Sequence, residues 1–522
     1  MKKILLITGI IFSLAACNSM LEEEVFDQVT TNNFFHKERD VKTAVNGVYD
    51  GIQDLGLWQH MSILGDGLPG ALGHYWNRPF VTLTFEDNNN YVWNPWMLFY
   101  NTIGRANIVL EALGESSLDE ALKNRYEGEV RFVRAYSYFN LVRMYGHIPL
   151  VTKAPESLDD VVLPDTTQAN ETLNSEFFVQ RDRNDVYDFI IEDLKAAEEF
   201  LPESYNESQV GRATKGAAAG LLAKVYLTLA RKYYDYSNGT LAEGDAAYYA
   251  KALEQCEKVK AMGYSLEENF ADVFSPENEI ENSEMIFAIK YIESAVAGVE
   301  GEGNQMNARF GVRNGSITPY AWKQRFANDM FYDDFVAANG ADDPRVETTF
   351  LTRFIDGEGD TVKVGDMSTF VHPHVKKFLS DLVEGPNDQP TAQSATDYGT
   401  DYPILRYADV LLMHSEILNE MGSDPNNETI FGINQVRERV GKAPVELPVS
   451  KEELRDIIFD ERKWELAYEG QYYFDCKRYG NLLEEIAKSP ERKVEPNVRH
   501  YILPIPYNAM QANPTLVQNA GW

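Results

Sequence analysis

The chain has 522 residues, of which 44% are hydrophobic and 25% are charged, a composition typical of a folded globular protein and unlike that of a disordered one. Acidic residues outnumber basic ones by 81 to 48, which gives a formal net charge of -33. A field of this sign repels phosphate backbones, so no nucleic-acid partner is expected. The 12% of aromatic residues supply rings that either fill a core or stack on a ligand such as a sugar.

The first residues have the pattern of a secretory signal. Lys2 and Lys3 precede a mostly apolar run from Ile4 to Ala16, which is too short to cross a bilayer core of about 30 Å as a helix. The run ends in the letters LAAC, which resemble the lipobox of bacterial lipoproteins, where the cysteine is acylated and becomes the mature N-terminus. We therefore predict a signal peptide over residues 1–16 and lipid attachment at Cys17.

The predicted lipidated tether spans residues 17–39 and includes the acidic cluster Glu22–Glu24. This cluster resembles the export signal that sends some lipoproteins to the outer face of the outer membrane, and the alternative is a solvated linker. No later run reaches 18 consecutive apolar residues, so we expect the lipid to anchor the protein without any segment crossing the membrane. The expected location is the outer membrane, facing the exterior.

Apolar residues recur at helical spacing in two groups along the rest of the chain. The first group of predicted helices covers residues 40–55, 95–113, 118–145, 186–200, 213–233 and 246–262, and the second covers 405–421, 429–440, 451–468 and 472–486. Pairs of helices of this length suggest tetratricopeptide-like packing, although no consensus repeats cleanly. Cys256 and Cys476 fall in these helices, and their spacing leaves open whether they pair or stay as free thiols.

The region between the two groups is rich in Gly, Asn, Asp and Pro, with short β-like runs such as residues 285–290. We predict one domain over residues 40–522. In it, a helical scaffold over about 40–263 and 401–522 carries a loop-rich insert over about 264–400 with small β-hairpins. Loops on a rigid scaffold are where ligand binding is commonly found, so the ligand is expected on the side of the insert.

Several segments resemble motifs of the SusD/RagB family of outer-membrane nutrient-binding lipoproteins. They are GEVRFVRAYSYFNLVRMYG at 128–146, RATKGAAAGLLAKVY at 212–226, YPILRYADVLLM at 402–413, DERKWELAYEG at 460–470, and LPIP, NP and QN at 503–506, 513–514 and 518–519. They follow the family's order along the chain. The resemblance implies a mainly α fold, an α-α superhelix with four tetratricopeptide-like helix pairs and an irregular ligand-binding half.

The resemblance also implies a function. Family members capture glycans at the cell surface and pass them to a SusC-like TonB-dependent β-barrel transporter in the outer membrane. The alternatives are a scaffold that captures peptides or another nutrient, and a structural subunit of the transporter that binds no ligand of its own.

The charged residues of these motifs are expected to form structural ion pairs and helix-end bonds rather than a catalytic site. They are Arg134, Arg143, Lys215, Arg406, Asp409, Glu416, Glu461, Arg462 and Glu465. Arg462 lies between Glu461 and Glu465 and is placed to neutralise them, which would depress their pKa values. A glycosidase needs two carboxyl groups on either side of the scissile bond, whereas two groups one helical turn apart lie on the same side. We therefore predict a protein that is not an enzyme.

No cofactor is expected. The sequence has no Gly-rich phosphate loop, and the pair His372 and His374 supplies only two metal ligands. The acidic turn Asp356–Asp360 is a candidate for structural calcium, but it lacks the EF-hand register.

Two loop segments combine aromatic rings, which cover the C–H face of a sugar, with polar side chains for its hydroxyl groups. The predicted ligand-binding residues are Tyr75, Trp76, Arg78, Asn90 and Trp93 in the first region, and Asn307, Arg309, Tyr320 and Trp322 in the second. These regions match the family's ligand loops by position only. Trp96 matches the family's helix-start tryptophan and is expected in the core.

Overall fold

The computed structural model describes residues 35, 37–75, 78–154, 179–206, 209–235, 238–293, 303–312, 320–322, 324–356, 358–380, 394–422 and 427–522. Helices α1–α8 span Glu38–Gln53, Leu55–Ser62, Pro79–Thr82, Asn90–Glu115, Glu120–Tyr145, Arg183–Phe200, Lys215–Ala230 and Ala247–Lys260. Helices α9–α17 span Met306–Phe310, Asp329–Asn339, Pro344–Thr349, Tyr407–Met421, Glu428–Arg439, Lys451–Glu465, Tyr472–Tyr479, Leu482–Lys488 and Tyr507–Ala512.

The strands are short and pair in twos. Strands β1–β6 span Leu72–His74, Ile148–Pro149, Gln180–Arg181, Tyr233–Asp235, Thr240–Ala242 and Met285–Ile289, and β7–β12 span Arg325–Ala327, Phe350–Leu351, Arg353–Ile355, Thr361–Lys363, His374–Val375 and Tyr402–Arg406. Every pairing between them is antiparallel: β1 with β7, β2 with β3, β4 with β5, β6 with β12, β8 with β11 and β9 with β10. The mainly α fold class is therefore confirmed, and the strands only tie loops together.

The scaffold is built from helices that pack in pairs. The pairs are α1 with α4, α5 with α6, α7 with α8, and α12 with α13, and α8 also packs on α12, which joins the two helical groups. Helix α5 is buried on both of its apolar stripes, as the sequence predicts, with Tyr126, Phe132 and Phe139 at 0–1% exposure. Among the described residues, no helix combines the length and apolar character that a membrane span requires.

Capping residues explain where several helices begin. Asn89, Asp119, Asp182 and Thr214 each accept a hydrogen bond from a backbone N–H of the helix that follows. The cap at Asn89 makes α4 begin five residues before the predicted start, with Pro95 inside the helix. The prediction of a helix from residue 405 is also wrong at its start, because residues 402–406 form β12.

Two further predictions need correction. The predicted helix 472–486 is two helices, since Gly480 adopts a φ of +80° between α15 and α16, a conformation that only glycine adopts readily. The insert over 264–400 contains the helices α10 and α11 as well as hairpins. The open question about the thiols is answered: Cys256 and Cys476 are free and buried.

Candidate functional site

The pairing of β1 with β7 joins the two loop regions that the sequence singles out. In this ladder Gly73 lies opposite Phe326 and His74 lies opposite Arg325. The backbone N–H of Tyr75 then donates to the backbone oxygen of Gln324 at 2.9 Å, which extends the contact beyond the strands. Residues about 250 positions apart in sequence are thereby fixed at one edge of the insert.

Helix α9 holds the second loop in place from the other side. The backbone N–H of Trp322 donates to the backbone oxygen of Ala308 at 2.6 Å. The backbone N–H of Gln324 donates to the backbone oxygen of Arg309 at 3.3 Å. The guanidinium of Arg309 lies 5.1 Å from the centre of the Trp322 ring. Trp322 is thus supported on one side by a cation while 36% of its surface remains exposed.

Tyr320 is the second exposed ring of this edge. It is 50% exposed and has a φ of +62°. A tyrosine in the left-handed region is strained, and such residues concentrate where a ligand is bound. We call Tyr75, Arg309, Tyr320 and Trp322 the aromatic platform.

Tyr75 is the most firmly packed ring of the platform. Its ring centre lies 4.6 Å from that of Phe326 and 5.9 Å from that of His372. His372 in turn stacks on Phe326 at 4.1 Å and contacts the Asp329 carboxylate at 2.9 Å. This stack holds the Tyr75 ring in a fixed orientation, which lowers the entropic cost of binding.

Arg309 remains a cation at neutral pH and brings hydrogen-bond donors to the platform. Burial, and next the charge of the neighbouring Arg325, lowers its pKa to about 10. Its Nε and Nη2 atoms donate to Gln305 Oε1 at 3.0 and 2.5 Å, and Nη1 donates to Gln324. A guanidinium has five N–H groups, so donors are left for a hydroxyl group of a ligand.

The other predicted ligand residues do not join this cluster. Arg78 is exposed and paired with Glu491, and Asn90 is exposed in the first turn of α4. Trp93 is partly buried and packs against the core. Asn307 is fully buried and its amide oxygen accepts from the Ser380 N–H at 3.3 Å, so it holds α9 and presents no surface to a ligand.

Trp76 lies outside the described residues. Trp96 is in the core, as predicted, where it contacts Tyr100 and Tyr145 at 5.0 and 5.1 Å. Sequence reasoning missed Gln305, Gln324 and His372 as neighbours of the platform. In the sequence, only the position of Gln305 and Gln324 beside the predicted loop indicates that they are neighbours of the platform. The contact of His372 with the platform depends on tertiary structure, which the sequence does not reveal.

The motif carboxylates belong to buried ion networks. Glu461 receives Arg345 at 2.6 Å and Arg437 at 3.0 Å, while Glu465 pairs with Arg406 at 2.8 Å and with Arg439. Burial opposes ionisation of Glu465, yet Arg439, Arg406 and Arg345 together hold its pKa well below the usual value. Both carboxylates are therefore enclosed and paired with arginines, and they are unable to flank a glycosidic bond.

The prediction that Arg462 neutralises Glu461 and Glu465 is wrong. Arg462 instead bridges Asp409 at 2.8 Å and Asp475 at 3.0 Å. Both carboxylates belong to other helices, Asp409 to α12 and Asp475 to α15, so tertiary contacts rather than local spacing set the partners of Arg462.

Other motif charges are paired as predicted. Arg134 binds Asp193 at 2.8 Å, and Glu416 binds Arg478 at 2.9 Å. Arg143 and Lys215 form no ion pair, because no carboxylate of the described residues lies within 4.0 Å of either, and Arg143 lies in the last turn of α5.

The two candidate metal ligands, His372 and His374, contact different partners in the structure. His372 faces Asp329, whereas the Nδ1 atom of His374 meets the Phe310 backbone oxygen at 2.5 Å. In the acidic turn, Asp356 accepts backbone hydrogen bonds from Glu358 and Asp360 and so closes the hairpin of β9 and β10. Within the described ranges, no group of three or more His, Cys, Asp or Glu side chains is suited to a metal ion.

A large cavity has Ser380 in its lining, the residue whose backbone N–H donates to Asn307. Its volume is about 1090 Å³, and its lining includes Glu268, Asp272, Glu277 and Lys376. Its lining mixes these charged side chains with the buried Phe270 and the partly buried Phe274. The platform, by contrast, has exposed rings with a cation beside them.

Comparison with known proteins identifies the family. Residues 236–522 match the model described as "SusD family", and residues 2–227 match one described as "Starch-binding associating with outer membrane". The chain is 27% identical to SusD-like protein P2 of Formosa agariphila, with 98% of this chain and 97% of that protein covered.

Two further relatives agree with these matches. The starch-binding protein SusD of Bacteroides thetaiotaomicron is 22% identical over 68% of this chain and 64% of its own length. The solved structure of a laminarin-binding SusD-like protein superposes with a TM-score of 0.73 at 26% identity, covering 94% of this chain and all of that one. The chain therefore belongs to the SusD family.

Proposed function

We propose that the protein is a cell-surface lipoprotein that binds oligosaccharides or polysaccharides at the aromatic platform. It releases them intact to a SusC-like TonB-dependent outer-membrane transporter. The observation that carries this proposal is the exposed indole of Trp322, supported by Arg309 and flanked by Tyr320. An exposed ring face matches the C–H face of a pyranose, and the guanidinium donors match its hydroxyl groups.

The relatives favour a carbohydrate over a peptide. One solved relative binds laminarin, a second relative is starch-binding, and the description of one matching family model includes starch binding. The net charge of -33 disfavours anionic ligands at long range, so a neutral glucan is the first ligand to test. The ion pairs around Glu461 and Glu465 support binding without hydrolysis.

The platform is tested by affinity electrophoresis on laminarin and starch, followed by isothermal titration with the glucan that retards the protein. Trp322→Ala is expected to weaken affinity about tenfold or more, since it removes the stacking face. Thr348→Trp is the matched control, because Thr348 lines the large cavity and a bulky ring there obstructs that cavity alone. The proposal fails if Thr348→Trp abolishes binding and Trp322→Ala does not.

Delivery to a transporter is tested separately by purifying the full chain from native outer membranes under mild detergent. A large β-barrel protein in constant ratio to the chain is the expected result. Copurification without any glycan affinity would instead favour a structural subunit that binds no ligand. Peptide affinity without glycan affinity would favour a scaffold that captures peptides.

A further inference from the structure

A small cavity in the helical scaffold has an excess of cations among its seventeen lining residues. It has a volume of about 60 Å³ and lies between the end of α5, the start of α6, the end of α7 and helix α15. Its lining contains seven Lys or Arg side chains and a single carboxylate, that of Asp475. Such an excess is unexpected in a chain whose acids outnumber its bases by 81 to 48.

Four of the seven cations have carboxylate partners. Lys224 pairs with Asp409 at 2.6 Å, and Arg462 and Arg478 share Asp475 at 3.0 Å each. Lys232 reaches only Glu243, at 3.6 Å on the exposed surface. These pairs account for the carboxylates around the cavity and leave none for the remaining cations.

The other three, Arg143, Arg183 and Lys477, have no carboxylate within 4.0 Å in the part of the chain that the structure describes. Arg143 lies 3.6 Å from the centre of the Phe474 ring, and Arg183 lies 3.9 Å from that of Tyr233. Lys477 donates to the backbone oxygen of Arg143. Ring faces, a carbonyl and, for Arg143, the side-chain oxygen of Asn140 at 2.6 Å offset only part of the cost of burying a charge.

Burial dominates the pKa shifts of two of these cations, and repulsion by neighbouring cations adds to it for Lys477. Burial, and then the charges of Arg143 and Arg183, lowers the pKa of Lys477 well below its usual value. Burial likewise lowers the pKa of Arg143 to about 10. The Nε atom of Arg143 is buried and has no hydrogen-bond partner among the described residues. An anion in the cavity would offset the cost of burying these cations and could give the Arg143 Nε atom a partner.

We propose that this cavity, the cation cavity, binds a small doubly charged oxyanion, either free phosphate or sulfate or the terminal phosphate group of a larger ligand. Its volume equals that of roughly four to six water molecules at about 10–15 Å³ each, which is enough for one tetrahedral group. Arginine forks and a lysine ammonium are the usual ligands of phosphate and sulfate oxygens. A dianion suits the excess charge of three unpaired cations better than one carboxylate does.

The bound anion would connect the two helical groups. Arg143 and Arg183 belong to the first group, on α5 and α6, whereas Lys477 belongs to α15 in the second. An anion shared by these side chains would stabilise the folded scaffold without involving the aromatic platform, which is built from β1, β7 and α9.

The test is isothermal titration of the full chain with inorganic phosphate in chloride buffer at constant ionic strength, together with thermal unfolding. The wild type is expected to bind phosphate saturably and to gain thermal stability as it does so. Lys477→Met is expected to weaken phosphate affinity about tenfold or more while unfolding at the same or a higher temperature in chloride. Glucose 6-phosphate and sulfate are titrated in parallel, so that a phosphate group on a larger ligand is distinguished from a free ion.

The controls separate a specific site from a general salt effect, since phosphate and sulfate stabilise most folded proteins by exclusion. Lys251→Met removes an exposed lysine that also lies over aromatic rings, 4.7 Å from the centre of Tyr248, and should leave phosphate affinity unchanged. Arg183→Gln is the second cavity variant if Lys477→Met does not fold. The proposal is overturned if wild-type protein gives no saturable heat with either ion, or if the cavity variants bind phosphate as tightly as wild type.

Discussion

Arg406 shows how individual charged residues stabilise this protein. Its guanidinium binds Glu284 at 2.6 Å, Glu465 at 2.8 Å and Glu469 at 2.8 Å, and all four side chains are at most 4% exposed. Removing Arg406 takes a cation from three buried carboxylates, which then keep only Arg345, Arg439 and Lys377 as partners, and this costs far more than the net contribution of the intact pairs.

We therefore expect Arg406→Met to lower the free energy of unfolding by about 3–5 kcal/mol, measured by urea denaturation at neutral pH. The control is Arg105→Met, which breaks the exposed pair between Arg105 and Asp50 and should cost less than about 1 kcal/mol. Equal effects of the two substitutions would contradict a structural role for the motif charges.

The sequence predicts that a buried charged residue forms an ion pair better than it predicts which residue is the partner. The prediction that the motif charges form ion pairs is confirmed for Arg134, Arg406 and Glu416, because buried charges need counter-charges wherever the fold places them. The partner assigned to Arg462 was wrong, since its carboxylates come from α12 and α15 rather than from its own helix. Local spacing carries no information about such distant partners.

The two short strands β1 and β7 are the elements on which the candidate site depends. A Cβ atom added at Gly73 would lie 2.2 Å from the nearest atom of the Phe326 ring, the ring on which Tyr75 and His372 pack. Any side chain at this position must therefore displace the stack that orients Tyr75.

We expect Gly73→Ala to cost about 1–3 kcal/mol of stability and to weaken glycan affinity, although Gly73 itself is buried away from the ligand. Urea denaturation and isothermal titration measure the two effects. Gly104→Ala in α4 is the matched control, because nothing lies within 4 Å of the added Cβ and alanine favours a helix by about 0.5–1 kcal/mol. An unchanged affinity in Gly73→Ala would contradict the role given to this stack.

Helices could be predicted from the sequence far better than these strands. A long apolar period defines α5 and α7 within a few residues, whereas a three-residue strand has no measurable period. Only the fold reveals that Tyr75 and Gln324 are neighbours, so the sequence could name Tyr75, Arg309 and Trp322 but could not show that contacts through Gln324 link them. For the same reason it could not separate them from the buried Asn307.

At the scale of the whole molecule, the proposed function requires the scaffold to be held at the outer membrane. We expect Cys17→Ser to abolish incorporation of radiolabelled palmitate and to move the protein from the membrane to the soluble fraction, because the thiol is the predicted site of acylation.

Wild-type cells provide the second measurement for location. Protease added to intact cells should degrade the wild-type protein if it faces the exterior, while a periplasmic control protein stays intact. Complete protection of the wild-type protein under these conditions would contradict a surface location, and labelling of Cys17→Ser would contradict the lipid site.

The most direct test of the central claim is an experimental structure of the full chain with a bound neutral oligosaccharide. We predict a sugar ring stacked on the exposed face of Trp322, a hydroxyl group within hydrogen-bond distance of Arg309, and every glycosidic bond intact. An oligosaccharide bound in the 1090 Å³ cavity with the platform empty, or a cleaved product in either place, would contradict the account.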